Sequence, residues 1–203
     1  MTHCFSRRSF LKGSAAAAAV LSSPLLPADA AFSETENGLF SPVSALCQTQ
    51  YGPVKGREGE NGQLCWYGIP YGAAPTGESR WTAPQEPARW HAVRDCTSPA
   101  PAAYQYTAFP LGTEDCLTLD VYSSSDAKKR PVLVYLHGSA ATGSSLELPG
   151  CELVRDAGCV FVALNYRLGL FGWNCLPALT ADPDATGNFA LLDIARALDW
   201  VQD

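Results

Sequence analysis

The unbroken apolar run from Pro131 to Leu136, closed by His137-Gly138, most constrains what this chain can fold into. Apolar residues without alternation describe a strand buried on both faces, the kind found in layered α/β sheets. Val160 to Leu164 has the same character. Between them, Leu146 to Ala157 carries a helical pattern, and Asn188 to Gln202 carries another. In the second, Leu191, Ile194, Ala195, Leu198 and Val201 share one face of a 3.6-residue repeat, with Asn188 as N-cap. Strand, helix, strand, helix predicts α/β layering on a mostly parallel central sheet. Leu117, Leu119 and Val121 alternate with Thr118, Asp120 and Tyr122, which reads as a half-buried strand. Residues 31–60 read as a tail leading into loose N-terminal strands, and 64–110 as turn-rich chain around short extended pieces.

The N-terminus carries an address. Ser6-Arg7-Arg8-Ser9-Phe10-Leu11-Lys12 resembles the twin-arginine export signal, an apolar stretch from Ala15 to Leu26 follows, and Ala28-Asp29-Ala30 fits the cleavage rule. Residues 1–30 are therefore expected to be a signal peptide and 31–203 the mature domain, periplasmic or extracellular. An uncleaved membrane anchor is the alternative. The apolar run is short for a span, and Pro24 and Pro27 interrupt it, so no integral membrane segment is expected.

The formal net charge is −6, and losing Arg7, Arg8, Lys12 and Asp29 makes the remainder more acidic still. With no basic block, nucleic acid is excluded as a partner. Hydrophobic residues make up 47%, enough for a core and too many for a disordered chain. Cys4 lies in the leader. Cys47, Cys65, Cys96, Cys116, Cys151, Cys159 and Cys175 remain, an odd set that leaves at least one thiol unpaired or paired to another chain. No C-x-x-C occurs and no His stands at ligand spacing from a Cys, so neither a metal nor any other cofactor is expected. Cys159, inside an apolar run, reads as a buried small hydrophobe.

Particular runs narrow the class. Gly68-Ile69-Pro70-Tyr71 precedes Ala74-Pro75-Thr76-Gly77-Glu78-Ser79-Arg80-Trp81, and Pro84-Gln85 and Trp90 follow. Glu114 to Tyr122, His137-Gly138, Asn165 to Gly169 and Gly187 to Asp193 come after them in order. Together they resemble the type B carboxylesterase family, the cholinesterase-like branch of the α/β hydrolases, over residues 52–203. The resemblance implies the N-terminal portion of that fold and hydrolysis of a small-molecule carboxylic ester through an acyl-serine intermediate.

It also implies roles for individual residues. The backbone N–H groups of Ser139 and Ala140, in the turn after His137-Gly138, would line an oxyanion hole. The family usually places consecutive glycines there. Here the run is Gly138-Ser139-Ala140-Ala141-Thr142-Gly143, so a misshapen hole or an ordinary strand-exit turn is the competing reading. Arg167 and Asp193 occupy positions of a buried ion pair. Glu114 would lose its usual arginine, because Tyr67 stands in that place. Cys116 would pair with Cys96, closing a loop of roughly 20 residues worth about 3 kcal/mol.

No catalytic residue is found in these 203 residues. No G-x-S-x-G elbow occurs, and Gly77-Glu78-Ser79 is followed by Trp81 where a glycine is needed. His91 reads as a surface residue and His137 as part of the turn. The expectation is a chain truncated before its serine and inactive alone. A non-catalytic cholinesterase-like binding or adhesion protein, or a degenerate gene fragment, is the alternative. An apolar edge at Val132, Leu133, Val134 and Leu136 would then be left open, inviting aggregation or a partner chain.

Overall fold

The computed structural model describes residues 45–59, 62–125, 129–174, 176, 178–179 and 187–203. The leader, Cys4 and Cys175 lie outside them. The strands are β1 (Leu46–Gln48), β2 (Pro53–Lys55), β3 (Arg57–Glu58), β4 (Gln63–Pro70), β5 (Arg94–Asp95), β6 (Gln105–Tyr106), β7 (Pro110–Leu111), β8 (Thr118–Ser124), β9 (Val132–Leu136) and β10 (Val160–Leu164). The helices are α1 (Gly150–Ala157), α2 (Gly169–Gly172) and α3 (Phe189–Gln202).

The central sheet has five strands in the order β3-β4-β8-β10-β9. It is mixed, not mostly parallel. Pairs β3/β4, β4/β8 and β8/β10 are antiparallel, and β9/β10 is parallel. A parallel pair needs a crossover, and here α1 supplies one only between β9 and β10.

Helices cover both faces of this sheet. Val160, Val162 and Leu164 join Leu119, Val121, Ile69, Ala190, Ala197 and Trp200 on one side. Phe161 and Ala163 join Cys65, Tyr67, Tyr122 and Val154 on the other. The alternation along β10 follows from the two-residue period of a strand. It also explains why β8 is buried on both faces rather than half-buried: Thr118, Asp120 and Tyr122 point away from Leu119 and Val121 but meet their own partners. Helix α1 is shorter than expected, beginning after Pro149 and ending at Gly158, whose left-handed φ of 60° suits a glycine C-cap. Its Val154 is buried against the sheet, contributing about 1.5–3 kcal/mol.

Strand β9 is an edge strand rather than one buried on both faces, and helix α3 presents a different face from the one expected. Strand β9 has a neighbour on one side only among the described residues, and Leu133 and Leu136 are 47% and 44% exposed. Helix α3 starts after Asn188 as expected, though without a side-chain cap bond, and it is rotated. Phe189, Ala190, Asp193, Ala197 and Trp200 face inward, while Leu191 and Leu198 face outward. The inward face carries Asp193, which is paired with the buried Arg167.

Candidate oxyanion turn and its supports

The turn from Gly138 to Gly143 leaves β9 and is held at several points. Gln105 on β6 accepts from the Gly143 N–H through Oε1 at 2.9 Å and donates through Nε2 to the Gly143 carbonyl at 2.9 Å. The Gly169 N–H, at the start of α2, donates to the Ala140 carbonyl at 2.7 Å. Gly143 has a φ of 136°, and a Cβ there would lie 2.3 Å from His137 Nδ1, so glycine is required twice over.

Ser139 carries the local strain. Its φ of 69° is left-handed, a region costly for a residue with a Cβ. Its own hydroxyl compensates, since Ser139 Oγ accepts from the N–H groups of Ala141 at 3.1 Å and Thr142 at 3.3 Å. A serine can thus adopt the dihedrals for which glycine is usual. Ser139 and Ala140 are exposed, and their N–H groups donate to no described residue.

Behind the turn, His137 stacks on Tyr166 with ring centroids 4.3 Å apart, and the Tyr166 hydroxyl donates to the His137 carbonyl at 2.6 Å. Burial holds the His137 imidazole below its ordinary pKa, so it is neutral near pH 7. Its Nδ1 faces the Gly138 carbonyl at 3.2 Å. It braces the turn and is not aimed at solvent. His91 is exposed.

Asp120 anchors the far end of the loop. Its Oδ2 accepts from Ser145 Oγ at 2.7 Å and its Oδ1 from the Gly68 N–H at 2.8 Å. The Ser145 N–H donates to Asn165 Oδ1 at 2.9 Å. Burial raises the Asp120 pKa from 3.8 to about 6, against the two hydrogen bonds that favour the anion. The folded state therefore binds the proton more tightly than the unfolded chain. The resulting stability is present in full below pH 3.8 and is lost as pH rises through about 6. The loss amounts to about 3 kcal/mol at pH 8. Asp120→Asn removes the charge while its carbonyl oxygen can still accept from the Gly68 N–H and its amide N–H can donate to Ser145 Oγ, reversing that bond. Melting temperatures should show this variant gaining on the parent as pH rises from 4.5 to 8. A difference that stays constant across that range would contradict the assignment.

Arg167 and Asp193 form a buried, bidentate ion pair. Nη2 meets Oδ1 at 2.7 Å and Nε meets Oδ2 at 2.9 Å, with 2% and 0% side-chain exposure. The Arg167 N–H donates to the same carboxylate at 3.1 Å. Nη1 donates to the carbonyls of Arg80 at 3.0 Å and Thr82 at 2.9 Å. The guanidinium lies over the Phe189 ring. Burial, the largest influence, pushes the Asp193 carboxyl up, and Arg167 opposes it.

Two pairings differ from expectation. Glu114 does not lose its arginine: Arg80 reaches it in a forked pair, Nη2 to Oε1 at 2.9 Å. Tyr67 instead accepts from Arg57 Nη2 at 3.2 Å. Cys96 and Cys116 are both buried free thiols, not a disulfide. The Cys96 carbonyl accepts from the Tyr67 N–H inside β4, whereas the residue after Cys116 accepts from the Tyr71 N–H just beyond the end of that strand. Gly77 to Ser79 is a short 3-10 turn with no buried residue, not a strand-to-helix elbow. No cluster of metal-ligating side chains occurs among the described residues.

A doubly covered mixed sheet with a braced, donor-bearing turn at the end of β9 defines part of an α/β-hydrolase fold. The model of the carboxylesterase family matches residues 43–203, and the chain belongs to that family. A twin-arginine signal sequence matches residues 4–23, which supports export by that route. The para-nitrobenzyl esterase of Bacillus subtilis is 39% identical over 170 residues, covering 78% of this chain and 34% of that protein. The fumonisin B1 esterase of Sphingopyxis macrogoltabida is 34% identical over 168 residues, covering 76% and 31%. A solved PNB esterase superposes with a TM-score of 0.71 at 39% identity, covering 78% of this chain and 34% of that one. The chain spans about a third of the length of the relatives it matches.

Proposed function

We propose that these residues belong to an exported carboxylic ester hydrolase, periplasmic or extracellular, in which the 138–143 turn is the oxyanion hole. The observation that carries the reading is that Ser139 and Ala140 are exposed and their N–H groups donate to no described residue, in a turn fixed by Gln105 and Gly169. Acyl transfer develops negative charge on the ester carbonyl oxygen, and preorganised N–H donors stabilise it without reorganising at the moment of reaction. The serine nucleophile would attack the carbonyl carbon, a histidine would take the hydroxyl proton, and a carboxylate would orient that histidine.

Those three groups would come from polypeptide outside the 203 residues. The same polypeptide would cover the β9 edge and the outward leucines of α3. A non-catalytic binding protein of this family is the second reading, favoured by the serine and alanine where glycines are usual.

Labelling by a fluorophosphonate serine probe tests the proposal. The 203-residue polypeptide is expected to remain unlabelled. A product continuing through a G-x-S-x-G elbow is expected to label and to hydrolyse a chromogenic carboxylic ester. An extended product that neither labels nor hydrolyses would favour the binding reading.

A further inference from the structure

Cys65 and Cys151 are remote in sequence and adjacent in space. Their sulfurs lie 3.1 Å apart, one in the middle of β4 and the other in the first turn of α1. Cys65 is fully buried, and Cys151 is partly open to solvent. Arg57 is the cross-strand partner of Cys65, and its guanidinium sits over the Tyr67 ring, 5.3 Å from the centroid. A cation is therefore held beside the sulfur pair.

We propose that Cys65 and Cys151 close into a disulfide after export, tying α1 to the central strand β4. The proposal rests on the export route supported by the twin-arginine signal, because exported proteins reach compartments where thiols are oxidised. A disulfide needs a sulfur separation of about 2.0 Å, so roughly 1 Å of closure is required, within reach of a small side-chain rotation.

The chemistry balances with an external disulfide as oxidant, small-molecule or protein-borne. The reachable Cys151 sulfur, as thiolate, attacks one sulfur of the oxidant, forms a mixed disulfide and releases the first thiol. Cys65 then gives up its proton to solvent and attacks the Cys151 sulfur, expelling the second thiol. Two electrons pass to the oxidant, which leaves as two thiols. Burial pushes the Cys65 thiol up to about 12, so Cys65 is the second sulfur to act. The guanidinium of Arg57 favours the thiolate that forms in that second step.

The bond would close a loop across 86 residue positions. By chain entropy and the usual dependence of melting temperature on stability, reduction should lower the melting temperature by roughly 10 °C. The test is peptide mapping of the exported protein, quenched in acid and alkylated without reductant. The expected result is a linked peptide pair containing Cys65 and Cys151, lighter by two hydrogens. It should be absent from Cys151→Ser, whose melting temperature should not respond to reductant. The second arm treats reduced, purified protein with oxidised glutathione. If both cysteines are still alkylated after that treatment, the disulfide proposal is overturned. If they close in vitro but are reduced in the protein recovered from cells, the sulfur pairing stands and export is what fails.

Discussion

Asp193→Ala is expected to lower the unfolding free energy by about 3–5 kcal/mol, among the largest single effects in the molecule. The carboxylate accepts from Arg167 Nη2, Nε and backbone N–H, and both side chains are buried. Truncating it strands a buried guanidinium. Arg167→Met should cost as much, because it strands the carboxylate and also deprives the carbonyls of Arg80 and Thr82 of their donor. Removing both charges together removes the stranded ion, so Arg167→Met with Asp193→Leu should cost well under the sum of the singles. Urea unfolding of the parent, both singles and the double gives the coupling directly. Additivity within about 0.5 kcal/mol would show that the pair does not act as a unit.

The same pair shows what the sequence could and could not reveal. The spacing of α3 marked a helix from Asn188 onward, but the hydrophobic pattern pointed to the face carrying Leu191 and Leu198. A periodicity argument counts apolar residues and treats aspartate as a surface residue. Here Asp193 is as fully buried as Phe189, Ala190 and Ala197, and the small Ala190 and Ala197 beside it let the helix approach the sheet. The inward face carries a buried charge, and its partner lies on a distant loop.

Strand β10 was legible at both ends because it is apolar on both faces and short. Strand β4 was not, although it is the longest in the sheet. Gly68 and Pro70 punctuate it, and its register against β8 shifts between Trp66 and Ile69. At that irregularity the freed Gly68 N–H turns to Asp120, a bond no local pattern announces. The apolar run Leu64-Cys65-Trp66-Tyr67 was the available signal. The half-buried reading of β8 failed for a related reason, since Asp120 and Tyr122 looked solvent-facing until α1 and the 138–145 loop covered them. The turn itself was legible from His137-Gly138, but not the device that permits Ser139 there, which uses the residue's own hydroxyl.

The oxyanion role of that turn carries the second large expected effect. Backbone donors cannot be removed by changing a side chain, except by proline, which has no N–H. Ala140→Pro therefore deletes one proposed donor while retaining the Ala140 carbonyl that accepts from Gly169. Loss of one such donor costs about 10²–10³ in kcat, or about 2.7–4 kcal/mol of transition-state stabilisation. The loss should fall on kcat, not on KM, because the bond strengthens as the oxyanion forms. Ala140→Gly keeps the N–H and serves as the control. The deciding measurement is kcat and KM for a chromogenic carboxylic ester in a polypeptide that carries the nucleophile, with melting temperatures to confirm folding. Ala140→Pro is expected to lose two to three orders of magnitude in kcat while Ala140→Gly stays within a few-fold of the parent. A folded Ala140→Pro protein with undiminished kcat would contradict the oxyanion role of the turn.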